Sequence, residues 1–178
     1  MRLALHEHPD GVEVEAGPRV VYDLERNKAR LGPARVSGHA LVWELGGDDA
    51  GAALAAEVEL DPAVGLIVRC DRIDFPPGGV AYRHVHPGPG IRRLLKGELT
   101  IEANGEEKTI APGEAWFEGP DYPVLATASE SEDTAFVRVL LLPHEWEGKR
   151  TIRYLDPADE AKPKLQRATV LLEQPLSL

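Results

Sequence analysis

Between Ala40 and Leu142 the chain is cut into short runs of β-branched, aliphatic and aromatic residues: HALVWEL, AEVEL, VGLIVRCDRIDF, then ELTIEA, EKTIA, EAWFEG, YPVLATA and DTAFVRVLLL. Gly, Pro, Asp and Asn stand between the runs. Side chains of the first kind fit the pleated, half-buried surface of a sheet, and those of the second kind favour turns. Pro-Pro-Gly-Gly breaks the chain at 76–79, and Pro112-Gly113 makes a later turn. Asn104-Gly105 separates two of the runs, and this dipeptide accepts the positive φ angles of a type I′ hairpin. No amphipathic helical period runs through the stretch. Many short strands with evenly spaced turns imply a closed β-barrel or a jelly roll.

The chain has 178 residues and is 43% hydrophobic, enough for one substantial core, so a single domain over 1–178 is expected. Within it, 1–65 reads as an N-terminal extension with edge strands, 66–143 as the core barrel and 144–178 as a C-terminal extension. VVYDLERNKARLG suggests a helical turn ended by Gly32-Pro33. His6 and His8 form a His-x-His pair near a chain end, with no further metal ligand close by in sequence. In the tail, TIRYL and LQRATVLLEQPL read as strands that need a sheet to pair with, in the same chain or in a neighbour. A homodimer is the expectation.

Net charge is -10 with no basic run or stripe, which argues against a nucleic-acid partner. The opening MRLALHEHPD reads as neither a secretory signal nor a membrane span. Cys70 is the only cysteine, so an intrachain disulfide is excluded and a reducing, cytoplasmic compartment fits. Within LIVRCDRI it reads as a small buried apolar side chain.

The chemistry concentrates in GGVAYRHVHPGPGIRRLLKG, from Gly78 to Gly97. Residues i and i+2 of a strand point to one face, so His84 and His86 aim two imidazoles into one space, and Tyr82 shares their parity. After the Pro-Gly-Pro-Gly turn, alternation puts Gly90, Arg92, Leu94 and Lys96 on one face and Ile91, Arg93 and Leu95 on the other.

The order G-x5-H-x-H-x3-G-x6-G, followed by an Asn-Gly hairpin and PGEAWFEGPDYPV, resembles the two motifs of the cupin superfamily across Gly78–Pro143. The resemblance implies an all-β double-stranded β-helix, the cupin jelly-roll barrel, with N- and C-terminal extension strands. It also implies a metal held by two histidines and a glutamate of the first motif and a histidine of the second. Here His84 and His86 match, but Gly90 stands at the glutamate position and Val124 at the late histidine, with Ala128 where an asparagine often follows. His84 and His86 remain candidate ligands for one divalent ion, Fe, Mn, Ni or Zn, completed by Glu114, Glu118, Tyr122 or substrate. Two imidazoles alone fall short of the three or four protein ligands such an ion takes, so the barrel is read rather as holding none, with the histidines as polar pocket residues.

Arg92 on the inward face repels a cation and offers a fork of donors to a carboxylate or phosphate, unless Glu114 or Glu118 pairs with it. Tyr82 and Trp116 would supply aromatic walls, and Val124 completes the pocket. Two functions follow. One is a module binding a small anionic organic molecule through Tyr82, His84, His86, Arg92, Trp116 and Val124. The alternative is a cupin oxygenase, isomerase or lyase using His84 and His86, with metal or as general base.

Overall fold

In the computed structural model, which describes residues 1–177, the chain begins with β1 (Arg2–His8), β2 (Val12–Val14), β3 (Arg19–Asp23), β4 (Lys28–Leu31), β5 (Ala34–Val36), β6 (Ala40–Leu45) and β7 (Leu54–Glu57). Five of these pair antiparallel in the order β4-β3-β6-β1-β7, and β2 and β5 make a separate ribbon. The helical turn expected in VVYDLERNKARLG is instead the β3–β4 hairpin. Lys28 and Arg30 are exposed and alternate with the half-buried Ala29 and Leu31, a period of two that suits a strand. The turn is fixed locally. Asp23 Oδ1 accepts the Arg26 amide at 2.9 Å, Tyr22 Oη donates to Asn27 Oδ1 at 2.8 Å, and Asn27 takes a φ of 50°. His6 and His8 lie on β1, a strand held between β6 and β7.

The barrel follows: β8 (Leu66–Phe75), β9 (Val80–Val85), β10 (Gly90–Lys96), β11 (Leu99–Ala103), β12 (Glu106–Ile110), β13 (Ala115–Glu118), β14 (Val124–Ala128) and β15 (Thr134–Pro143). The tail adds β16 (Arg153–Tyr154) and β17 (Arg167–Leu176). Two antiparallel five-stranded sheets result, β13-β10-β15-β8-β17 and β12-β11-β14-β9-β16, and the fold is an all-β jelly roll with extension strands at both ends. Asn104 and Gly105, at φ 53° and 78°, make the β11–β12 hairpin that their sequence predicts.

The first barrel sheet is buried on both faces. Ile73, Leu94 and Phe136 pack inside the barrel with Leu99, Ile101 and Ile110. Val68, Cys70, Ile91, Val137 and Val139 pack outward against Leu3, Leu5, Tyr22, Leu41 and Trp43 of the N-terminal sheet. A strand covered on both sides reads as a continuous apolar run, which is the character of FVRVLLL in β15. Trp43 Nε1 donates to Ile91 O at 3.1 Å, and Arg93 pairs with Glu7, tying the two layers together. Cys70 is fully buried and burial pushes its thiol pKa up, so it serves as packing.

The tail strands join their own barrel. β17 pairs with β8 from Arg167↔Asp74 to Leu176↔Leu66, and β16 pairs with β9. They sit at the edges of different sheets, so the connection 155–166, with a 3-10 turn at Pro157–Ala161, crosses the seam between them. Among the described residues no helix is long and apolar enough to cross a membrane.

Candidate functional site

Register decides what faces the lumen. Arg92 on β10 lies opposite Trp116 on β13 and Arg138 on β15, and Arg138 lies opposite Asp71 on β8. One step towards one end come Gly90 and Glu118, and one step the other way Leu94 and Phe136. The lumen is therefore polar at one end and apolar at the other. Between them is a cavity of about 260 Å³. Arg69, His84, His86, Arg92, Glu118 and Arg138 line its polar end, and Ile73, Phe75, Leu99, Ile101, Trp116 and Phe136 its apolar end. The Trp116 and Phe136 rings meet edge to face with centroids 5.2 Å apart.

His84, His86, Arg92, Trp116 and Val124 line this cavity, and Tyr82 does not. The reason is a bulge. Val124 pairs with His84 but Ala126 pairs with Ala81, so β9 carries one residue more than β14 across that step. The extra residue reverses the parity, and Ala81 faces inward where simple alternation puts Tyr82. The Tyr82 ring instead lies beneath Lys162 Nζ, 4.7 Å from its centroid.

The two imidazoles are not equivalent. Arg138 Nη1 contacts His86 Nε2 at 2.9 Å, and a guanidinium has no acceptor, so Nε2 must accept. The proton of neutral His86 is then on Nδ1, which donates to Thr151 O at 3.1 Å. Both nitrogens are engaged. His84 Nδ1 donates to Tyr82 O at 2.7 Å, which leaves its Nε2 as an acceptor with no partner among the described residues. Burial lowers the pKa of His84 despite the nearby Glu118 carboxylate. Burial, and then the charge of Arg138, lowers that of His86 much further.

Asp71, with no solvent exposure, anchors the cations. Its Oδ1 accepts from Arg69 Nε at 2.8 Å, and its Oδ2 from Arg138 Nε and Nη2 at 3.2 and 2.9 Å. Arg138 Nη2 also donates to Thr151 Oγ1 at 3.2 Å, and Arg69 Nη1 to Lys149 O at 2.7 Å. Arg92 finds the partner that sequence reasoning offered it: Nη2 lies 2.7 Å from Glu118 Oε2, off the hydrogen-bonding direction, while Nη1 donates to Gly90 O at 2.6 Å. Trp116 Nε1 holds the other Glu118 oxygen at 2.8 Å. Burial draws Arg92 down to about 10, against the pull of Glu118, so it stays charged at neutral pH. Glu114 instead caps a turn, accepting the Ala111 amide at 2.7 Å, and Tyr122 Oη accepts from Asn104 at 3.1 Å.

A resident metal does not fit this donor set. His86 Nε2 is taken by a cation, Glu118 by Arg92 and Trp116, and Val124 has no donor. Gly90 is more than a missing ligand: a Cβ there would lie 2.3 Å from Val139 O, so the backbone leaves no room for a carboxylate arm. Among the described residues no three His, Cys, Asp or Glu side chains converge as a metal cluster. The pairing of His84 and His86 as metal ligands is thereby replaced by an Arg138–His86 contact.

Arg69, Asp71, Arg138 and Thr151 are missing from the sequence-predicted site. For Arg69, Asp71 and Arg138 the signal lies in β8 and β15, where LIVRCDRIDF and AFVRVLLL carry charges inside runs otherwise fit for a core, whereas nothing in the sequence around Thr151 marks it. Such charges persist only when paired.

Residues 71–138 match the family model described as Cupin domain. Among solved structures, the chain is similar to the polyketide cyclase RemF from Streptomyces resistomycificus, with 18% identity, 49% of this chain and 61% of that chain covered, and a TM-score of 0.41. It is similar to a cupin-like protein from Thermotoga maritima at 17% identity, 49% and 64% coverage and a TM-score of 0.43. An RmlC-like cupin from Shewanella frigidimarina gives 20%, 50% and 86%, and 0.40. The chain thus spans less than two thirds of the length of the first two. No curated protein matches it.

Proposed function

With residues 71–138 a cupin domain, we propose that the barrel binds a small organic anion, a carboxylate, and that buried guanidiniums rather than a metal supply the positive charge. The observation that supports this is the charge balance of the polar end. Arg69, Arg92 and Arg138 are all under 10% exposed, and the carboxylates buried with them are Asp71 and Glu118. Glu173 reaches Arg69 Nη1 at 3.2 Å from a partly exposed position, where water screens it, so it offsets that surplus only in part. Buried charge is stable only when neutralised, so the cavity favours an anionic occupant.

Arg69 and Arg138 carry the binding role. Arg69 Nη2 makes no protein hydrogen bond among the described residues, and one N–H of Arg138 Nη1 remains after His86 is served. Arg92 holds the wall of the site through Glu118. Ligand body and aromatic end then meet by burial of apolar surface. Calorimetry with 3-phenylpropanoate and with 3-phenylpropan-1-ol tests the reading. The acid is expected to bind at least tenfold tighter than the alcohol, and Arg69→Gln to weaken the acid selectively, as loss of a charge-assisted bond does. Equal binding of acid and alcohol would contradict it.

A further inference from the structure

A carboxylate accounts for the guanidiniums and leaves the His84 imidazole without a role. Its Nδ1–H is committed to Tyr82 O at 2.7 Å. Among the described residues its Nε2 accepts no hydrogen bond, it is not one of the interior's sealed, unpartnered polar atoms, and it belongs to a side chain lining the cavity. A carboxylate is acceptor only and cannot satisfy that lone pair. The polar end thus presents donors on Arg69 and Arg138 and an acceptor on His84. Its complement carries an anionic acceptor and, close beside it, a donor.

A hydroxyl and an ammonium would both donate. An ammonium adds a cation to a layer where guanidiniums already outnumber carboxylates, whereas a hydroxyl adds no charge. The far end of the cavity limits the rest of the molecule, since Phe75, Trp116 and Phe136 accept only an apolar body there. The volume, about 260 Å³, equals the liquid share of roughly nine waters, enough for a single ring with a short acid chain.

We infer that the ligand is a small hydroxy acid with an apolar, ring-sized body, its hydroxyl donating to His84 Nε2 while its carboxylate meets Arg69 and Arg138. This rests on the anion reading of the same cavity. His84 is the specificity-determining residue: it selects the hydroxy acid over the plain acid of equal charge and nearly equal size.

Calorimetry with 3-phenylpropanoate, 2-hydroxy-3-phenylpropanoate and 3-hydroxy-3-phenylpropanoate tests it. One of the hydroxy acids is expected to bind about three- to tenfold tighter than the plain acid, the span of one net hydrogen bond. In His84→Phe the ratio of hydroxy-acid to plain-acid affinity is expected to fall to about one, whatever the absolute affinities. The ¹⁵N resonance of wild-type His84 Nε2 gives a readout that needs no variant, shifting with the preferred hydroxy acid and not with the plain acid. Equal affinities for all three acids, or an advantage that survives in His84→Phe, overturn the inference and leave the anion reading standing. Failure of all three to bind at millimolar concentration overturns both.

Discussion

Arg138 sets the chemistry of the barrel because its guanidinium contacts the very nitrogen of His86 through which that imidazole would ligate a metal. Restoring the absent ligands by Gly90→Glu with Val124→His is therefore expected to fail. The new side chain at 90 meets Val139 O, and thermal unfolding should show a loss of about 3 kcal/mol without stoichiometric metal uptake. Arg138→Met leaves Asp71 with half its partners in a fully buried place, at a cost of about 3–5 kcal/mol in denaturant unfolding. Adding Asp71→Asn should recover part of that loss, and a double-mutant cycle measures the coupling. The histidines add a pH dependence. Burial holds both folded pKa values below the unfolded value of 6.5, so the unfolded chain binds more protons in the window beneath it. Stability is then fully present above pH 6.5 and falls as pH drops below it, by up to about 1.4 kcal/mol per pH unit for each imidazole. Urea unfolding at pH 7.5 and 5.5 checks the sign, and a midpoint that rises on acidification would refute it.

At the scale of elements, the seam between the two barrel sheets is closed by the least regular part of the tail. β16 has two residues, and the segment around it is held to the lumen through Thr151, by Arg138 and His86, and through Lys149 O, by Arg69. The groups assigned to the ligand thus also hold the wall. In hydrogen exchange, amides of 150–166 should exchange at least roughly tenfold faster than those of β8 and β15 and slow when an acid binds. Protection equal to that of β15 would contradict this. Strand existence was legible in the sequence because turn residues punctuate it, and the β11–β12 hairpin followed from Asn104-Gly105 alone. Two readings missed for local reasons. The helical turn expected in VVYDLERNKARLG is a hairpin whose exposed Lys28 and Arg30 alternate with a half-buried face, and the β9 bulge, which depends on pairing with β14, takes Tyr82 out of the pocket.

Across the whole molecule, three layers stack: the N-terminal sheet, the barrel sheet buried on both faces, and the second barrel sheet with the cavity between. The histidine pair located the cavity from sequence, because a two-residue spacing survives in any strand without a bulge between its members. The cations that define it came from β8 and β15, brought together only by pairing of strands some seventy residues apart, which is why they could not be joined beforehand. A chain of net charge -10 that keeps guanidiniums in its lumen and holds an imidazole to a fixed tautomer has the features on which the proposed anion site rests. Native mass spectrometry of untagged protein, read for both metal and organic increments, tests that most directly. The account predicts an added organic acid, or the same acid after loading, with no transition metal. A near-stoichiometric metal increment that disappears in a His84→Ala/His86→Ala variant would contradict it.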